Sequence, residues 1–352
     1  MPRGAVVLVT LDGVRWQEIF RGVDPTLARE HELPSSELRS AAALTPNLHR
    51  LMRDRGAALG DAAAGRAHAD MRASGPSFVS LPGYIELLTG ARQSGCTDNL
   101  CGRAPLPTVL DEHAGLTHEL PVVFSSWPRI GAAASMLPSN VVSSVGQRDG
   151  HERERLAAIP EVAAALEAGE REPPWPLGDP GFRRDAHTAQ AALAYLRRAH
   201  PRFSFISLGD TDELGHADDY RGYLDALHQA DAFIGAVAEV VRAEIARGRP
   251  TTLLVTTDHG RADTFAEHGP EHPESARVWL VAAGSRVTAR GVVGLTRTRH
   301  LADVAPTLRL LLGLPASRAS NAGSALTELL GARELASVLH PLFTLAQSSA
   351  SR

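Results

Sequence analysis

Five runs rich in Val, Leu, Ile and Phe, at 5–11, 121–125, 203–208, 252–257 and 277–283, are each strand-length and are separated by segments long enough for helices. Near-continuous apolar runs of this length suit strands buried on both faces. Such strands alternating with helices predict an α/β protein whose mainly parallel central sheet is sandwiched between helices. Helices are expected over Pro46–Arg55, opened by Thr45 as cap with Pro46 in the first turn, and over Gly83–Leu88, Phe182–Ala199 and Asp219–Ala246. Leu301–Leu312 and Ala325–Leu330 read as closing helices. Pro173, Pro174, Pro176 and Pro180 mark a surface loop. The segment 131–185 reads as a small inserted cap on one domain spanning 1–346, and 347–352 as a frayed polar tail.

The 352 residues suffice for a substantial core, and 43% hydrophobic with 22% charged content is that of a globular chain. A net charge of -4 provides no basic surface for nucleic-acid phosphates, which argues against a structural nucleic-acid partner. All 36 basic residues are Arg. Without Lys there is no Walker-type phosphate loop, no Schiff base and no Lys general base. The apolar run after Met1-Pro2-Arg3 has only a strand's length, and no run approaches a membrane span. The expectation is a cytoplasmic protein without a membrane partner. Cys96 and Cys101 can form a local disulfide or remain two free thiols, but two cysteines cannot complete a four-ligand structural zinc site.

Acidic and imidazole side chains gather just after the predicted strands. Asp12-Gly13 follows the first, where a tight turn presents a carboxylate at the sheet's carboxyl edge, the edge at which open α/β sheets bind ligands. Asp212 and His216 follow the third, four residues apart, with Asp210 ahead of them as a supporting acid. Asp258-His259-Gly260 follows the fourth without a gap. His268-Gly269 comes next, with His272 as a competing imidazole. Ser80, two residues before Pro82, stands at a predicted helix start, where free amides and the helix dipole favour an anion. Singly, Asp12 reads as a capping acid and Ser80 as an N-cap serine. Jointly, three Asp, three His and a hydroxyl are about what two four-coordinate ions require. His49, His187, His228 and His300 fall on predicted helices and are expected to cap, hydrogen-bond or face solvent.

In this order the motifs resemble those of the alkaline phosphatase superfamily, in particular its phosphodiesterase and nucleotide pyrophosphatase branch. Leu11-Asp12-Gly13 is similar to the first metal-binding Asp, Ser80-Leu81-Pro82-Gly83-Tyr84 with Leu88-Thr89-Gly90 to the nucleophile segment, and Asp98-Asn99 to the pair whose Asn binds a phosphoryl oxygen. Asp212 with His216 resembles the Asp-x-x-x-His ligands, Asp258-His259-Gly260 the Asp-His-Gly motif, and His268-Gly269, ahead of Val278-Trp279-Leu280, the final ligand, which favours His268 over His272.

The resemblance implies one ion held by Asp212, His216 and His268 and another held by Asp12, Asp258 and His259, with Ser80 as metal-activated nucleophile. Zinc suits these ligands best, with manganese also accommodated. It also implies a small-molecule phosphate ester as substrate, with a diester ahead of a monoester. A monoesterase would add an Arg clamp, for which Arg92 and Arg261 are candidates by position, and a noncatalytic member would keep the metals for structure. Tyr84 stands where sulfatases need Arg, Ser207 where alkaline phosphatase proper has an acidic third-metal ligand, and the chain is too short for the inserted domain of cofactor-independent phosphoglycerate mutases.

Overall fold

A computed structural model describes residues 4–65, 69–92, 95–317 and 321–331; the expected domain end at 346 and tail at 347–352 lie outside them. The strands among these residues are β1 (Ala5–Leu11), β2 (Gly56–Leu59), β3 (Met71–Arg72), β4 (Val122–Ser125), β5 (Val142–Val145), β6 (Asp149–His151), β7 (Phe203–Leu208), β8 (Thr251–Thr256), β9 (Arg277–Val278), β10 (Leu280–Gly284), β11 (Gly291–Val292) and β12 (Arg299–His300). Nine form one sheet in the order β11-β2-β10-β8-β1-β7-β4-β5-β6, and the other three form a small sheet ordered β12-β3-β9. The run from β8 through β1, β7 and β4 to β5 is parallel throughout. β10 lies antiparallel between β8 and β2, and β6 is antiparallel to β5.

β1 shows why these runs are apolar without a break. Val7, Val9 and Leu11 enter one core and Val6 and Leu8 the other, because successive side chains point to opposite faces. Helices Pro160–Arg171, Asp185–Ala199 and Tyr220–Ala246 cover the first face. Helices Ser80–Thr89, Val109–Thr117 and Val304–Leu312 cover the second, which makes the expected sandwich.

The structure departs from the sequence expectations at four places. The run 277–283 is divided at Trp279, so that β9 joins the small sheet and β10 the large one. Trp279 is fully buried and donates its indole N–H to Val14 O at 2.9 Å. Between Ala325 and Leu330 only a 3₁₀ turn, Thr327–Leu329, is helical. Leu326, Leu329 and Leu330 are buried around that turn, with Leu330 extended and bridged to Val287.

The helix expected from Phe182 begins instead at Asp185. Arg183 is buried in extended chain, where its guanidinium donates to Ser144 Oγ at 2.8 Å and Ser125 O at 3.0 Å. Thr45 does not cap with its side chain, which donates back to Ala41 O at 3.1 Å. The free amides of Asn47 and Leu48 go to buried Asp231, 184 and 183 residues away, at 2.9 and 2.8 Å. The segment 131–185 adds β5 and β6 to the main sheet, then two helices, then a proline-rich stretch from Glu172 to Gly181.

Candidate metal centre and nucleophile

β8, β1 and β7 are neighbours in the sheet and end on the same edge, so the segments that leave them converge. Asp12 comes directly after β1 and its N–H donates to Leu208 O at 3.0 Å. Gly13 has φ +63, and a Cβ there would run into Asp212 Oδ1; only a residue lacking one permits this approach. Helix Ser80–Thr89 starts over the same edge. Its Gly83 lies so close to β8's continuation that a Cβ would stand 2.6 Å from Asp258 O.

Two groups of side chains result. Asp12, Asp258 and His259, all buried, bring one ligand atom each to within 4.8 Å of one another, and so do Asp212, His216 and His268. In the first group His259 Nε2 lies 3.4 Å from Asp12 Oδ1 and 3.5 Å from Asp258 Oδ2. In the second, His216 Nε2 lies 3.2 Å from Asp212 Oδ2 and 3.0 Å from His268 Nε2. His268 and His259 stack with ring centroids 4.0 Å apart. His272 turns to Glu274 at 3.8 Å, outside both groups.

The protein's own side chains leave this charge unbalanced. Asp258 is fully buried, Oδ1 accepts from Gly13 N at 3.2 Å, and Oδ2 has no hydrogen-bond partner. Burial, and next to it the Asp12 carboxylate, push Asp258 well above the usual carboxylate range. Burial alone would lower His259, but Asp258, Asp12 and Asp212 outweigh it and raise the imidazole to about 10. His268 falls to about 2, first through burial and then through His259. Burial opposes ionisation of Asp212, yet Arg261, His216 and His268 hold it well below its usual range. Buried carboxylates with an orphaned oxygen, beside imidazole nitrogens that face each other, fit a cation; the donor set supports divalent-metal binding.

Ser80 is the first residue of its helix rather than its cap, which is Val79. Its Oγ lies 3.2 Å from His259 Nε2 and 3.3 Å from Asp12 Oδ1. Asn99 comes to the same helix end, its Oδ1 accepting from Leu81 N at 2.9 Å, and a disulfide between Cys96 and Cys101 closes the loop that carries it.

Two residues given no supporting role in the sequence have one here. Tyr84, one turn after Ser80, donates its hydroxyl to Asp12 Oδ2 at 2.9 Å and lies 3.0 Å from Ser207 Oγ. Their i, i+4 spacing is the sequence signal that Ser80 and Tyr84 share a face. Arg261 is buried and bonded to Asp212 Oδ1, Phe265 O and Ala266 O. Arg92 points to Asp303 at 3.8 Å. Asp210 accepts from Arg184 Nε at 2.8 Å and Asp185 N at 3.0 Å, outside both groups. His49 and His228 bond the carbonyls of Ile19 and Leu44, at 2.9 and 2.8 Å.

Beside Ser80 opens a cleft of 110 Å³, walled by Asn99, Trp127, Asp179, Phe182 and Glu213 together with Asp12, Asp212 and His216 of the two groups. Burial, then Asp212, Asp12 and Asp179, raise Glu213 to about 8. A larger groove of 470 Å³, lined by Arg50, Arg242, Leu253 and Gly284, shares no residue with this cleft.

The fold has solved counterparts. The structure is similar to that of the alkaline phosphatase PafA, with TM-score 0.61 and 12% identity, covering 94% of this chain and 100% of that one. It is also similar to a protein in the alkaline phosphatase superfamily from Vibrio parahaemolyticus (TM-score 0.58, 15% identity, 95% of this chain and 72% of that one). A third likeness is to the phosphonate monoester hydrolase of Agrobacterium radiobacter (TM-score 0.53, 16% identity, 93% and 77%). The fold is therefore alkaline phosphatase-like.

The Metalloenzyme superfamily model matches residues 183–316, a span that includes Asp212, His216, Asp258, His259 and His268 but neither Asp12 nor Ser80. Among curated proteins the chain is 32% identical over 114 residues to the 2,3-bisphosphoglycerate-independent phosphoglycerate mutase of Cereibacter sphaeroides, covering 31% of this chain and 21% of that one. With the mutase of Desulforudis audaxviator it shares 35% over 113 residues, covering 31% and 20%. The chain spans about a fifth of the length of these relatives. The family model supports the Metalloenzyme superfamily over residues 183–316, and the solved structures support the fold.

Proposed function

We propose that this chain is a two-metal hydrolase of phosphoric esters, of the diester type, acting through a covalent phosphoseryl intermediate on Ser80. The observation that carries the reading is Ser80 Oγ, 3.2 Å from His259 Nε2 and 3.3 Å from Asp12 Oδ1 at a helix amino end. Asp12, Asp258 and His259 would hold one ion, Asp212, His216 and His268 the other, with Ser80 Oγ as a further ligand; zinc suits the set best and manganese also fits. When bound, the ions supply positive charge that lowers hydroxyl pKa values and offsets the charge of phosphoryl oxygens.

Ser80 Oγ attacks phosphorus in line with the departing alcohol, and water then releases the phosphoryl group from Ser80. Asn99 uses Oδ1 on Leu81 N, which leaves Nδ2 to donate to a nonbridging oxygen. Tyr84 and Arg261 hold Asp12 and Asp212 in place.

The diester preference rests on charge. No Arg lines the cleft among the described residues, and the chain has no Lys to meet the second charge of a monoester. Both Arg residues named for a clamp are engaged elsewhere. This supports the phosphodiesterase and nucleotide pyrophosphatase branch over a monoesterase. It also weighs against phosphoglycerate mutase activity, whose substrate adds a carboxylate to a phosphate dianion.

The test is hydrolysis of bis(p-nitrophenyl) phosphate and p-nitrophenyl phosphate by the zinc-loaded protein and by Ser80→Ala. The diester should be preferred, and Ser80→Ala should lose on the order of 10³-fold or more while keeping its metal. Full turnover by metal-loaded Ser80→Ala ends this reading. Retained metal without hydrolysis of any phosphate ester favours a noncatalytic protein instead.

A further inference from the structure

Two of the ligand candidates, Asp212 and His216, sit on a helix of only seven residues, Asp210–His216. A helix this short has too few internal hydrogen bonds to hold its own place, so whatever ties down its first turn decides where its side chains stand. Its cap residue, Gly209, has no side chain with which to meet the free amides. They are met from the inserted segment instead. Asp185 Oδ1 accepts from Gly209 N at 2.8 Å and Oδ2 from Asp210 N at 3.0 Å. The exchange is mutual, because Asp210 Oδ1 accepts from Asp185 N at 3.0 Å, where the helix Asp185–Ala199 begins.

The Asp185 carboxylate does more than cap. It also accepts from Ser126 Oγ, directly after β4, and that hydroxyl lies 3.0 Å from Thr188 Oγ1 one turn along the helix Asp185–Ala199. One side chain thus joins the end of β4, the start of a long helix and the turn after β7 that opens the ligand helix. None of its hydrogen bonds goes to the segments that carry Asp12, Asp258 and His259. Asp12 is held by other means, through its own N–H on Leu208 O and the Tyr84 hydroxyl on Oδ2.

Resting on the two-ion reading, we infer that Asp185 is the positioning residue for the ion that Asp212, His216 and His268 would hold. It hydrogen-bonds to no ligand side chain. It acts through the amides of Gly209 and Asp210, which fix the turn from which Asp212 and His216 extend. The segment 131–185, expected from sequence to be a cap, ends in the support for one of the two metal positions.

The test is zinc titration of the metal-stripped full-length protein by calorimetry, for the native chain, Asp185→Ala and Asp185→Asn. Asp185→Ala should weaken one of two ions by roughly tenfold to hundredfold and leave the other within about twofold. Asp185→Asn keeps one acceptor oxygen and should fall between Asp185→Ala and the native chain; it decides alone if the Ala variant does not fold. Added to Asp258→Asn, which impairs the other ion, Asp185→Ala should produce the same loss. Added to His216→Ala, which impairs this one, it should produce no further loss. Native affinities for both ions in either folded Asp185 variant, an equal loss at both ions, or an undiminished further loss in His216→Ala overturns the assignment while the two-ion reading stands. A native chain that takes up one ion or none overturns both.

Discussion

Replacing Asp258 by Asn should stabilise the metal-free protein and weaken its response to metal. Asp258 is fully buried, one oxygen lacks a partner, and Asp12 lies beside it in the same group. Burial first, and Asp12 second, raise its pKa well above the ordinary carboxylate value. The folded state therefore holds this proton more tightly than the unfolded state does. Its destabilising contribution is absent at pH values below the unfolded carboxylate pKa and grows as pH rises toward the raised folded value. Asn has no such proton to lose, so the variant lacks that slope.

A buried polar group left unmet costs about 1–3 kcal/mol. With about 2.1 cal/mol/K of unfolding entropy per residue over 352 residues, each kcal/mol is worth about 1.4 °C of Tm. Chelated Asp258→Asn should therefore melt about 1–4 °C above the chelated native protein at pH 8, with the gap closing toward pH 4. Zinc at a thousandfold excess over its Kd should lift the native protein by about 4 kcal/mol, or about 6 °C, and the variant by less than half as much. Calorimetry of chelated and zinc-titrated samples measures both. A chelated variant that melts below the chelated native protein at pH 8, or an equal lift by zinc, would refute the reasoning.

Tyr84→Phe removes the hydroxyl that holds Asp12, and metal titration should show roughly tenfold to hundredfold weaker binding with the fold retained. Unchanged affinity would mean that Asp12 needs no orientation. Gly83→Ala forces a methyl against the Asp258 carbonyl and should cost about 1–3 kcal/mol in denaturant unfolding, along with activity. Replacing Cys96 and Cys101 together by Ser frees the loop carrying Asn99, so KM for a phosphate diester should rise roughly threefold to tenfold while kcat changes less. A kcat loss at constant KM would place Asn99 in the transition state alone.

Part of the candidate centre was legible in the linear chain because two of its carboxylates, Asp12 and Asp258, lie at or just past strand ends, and strand ends can be counted. Asp12 closes β1 and Asp258 comes two residues after β8, so apolar runs buried on both faces announce where a carboxylate will emerge. The preference for His268 over His272 came from the resemblance of His268-Gly269 to a family motif, and His268 is the one that meets His216. Contacts made across the fold left no comparable trace. An apolar run does not report that its pairing partner changes at Trp279, and a Thr before Pro46 looks the same whether it or Asp231 serves the helix amides.

Local order in this protein thus resides in short-range pattern, which supplies the strands, most helices and the candidate ligands. Tertiary packing alone decides which groups are deprived of water together. It leaves Asp258 without a partner, turns Arg261 inward to Asp212 instead of toward a phosphate, and sets Asp179 beside Glu213 in the cleft. Charge and burial act through space, so residues 34 positions apart in the chain meet at one wall only when the sheet brings them there.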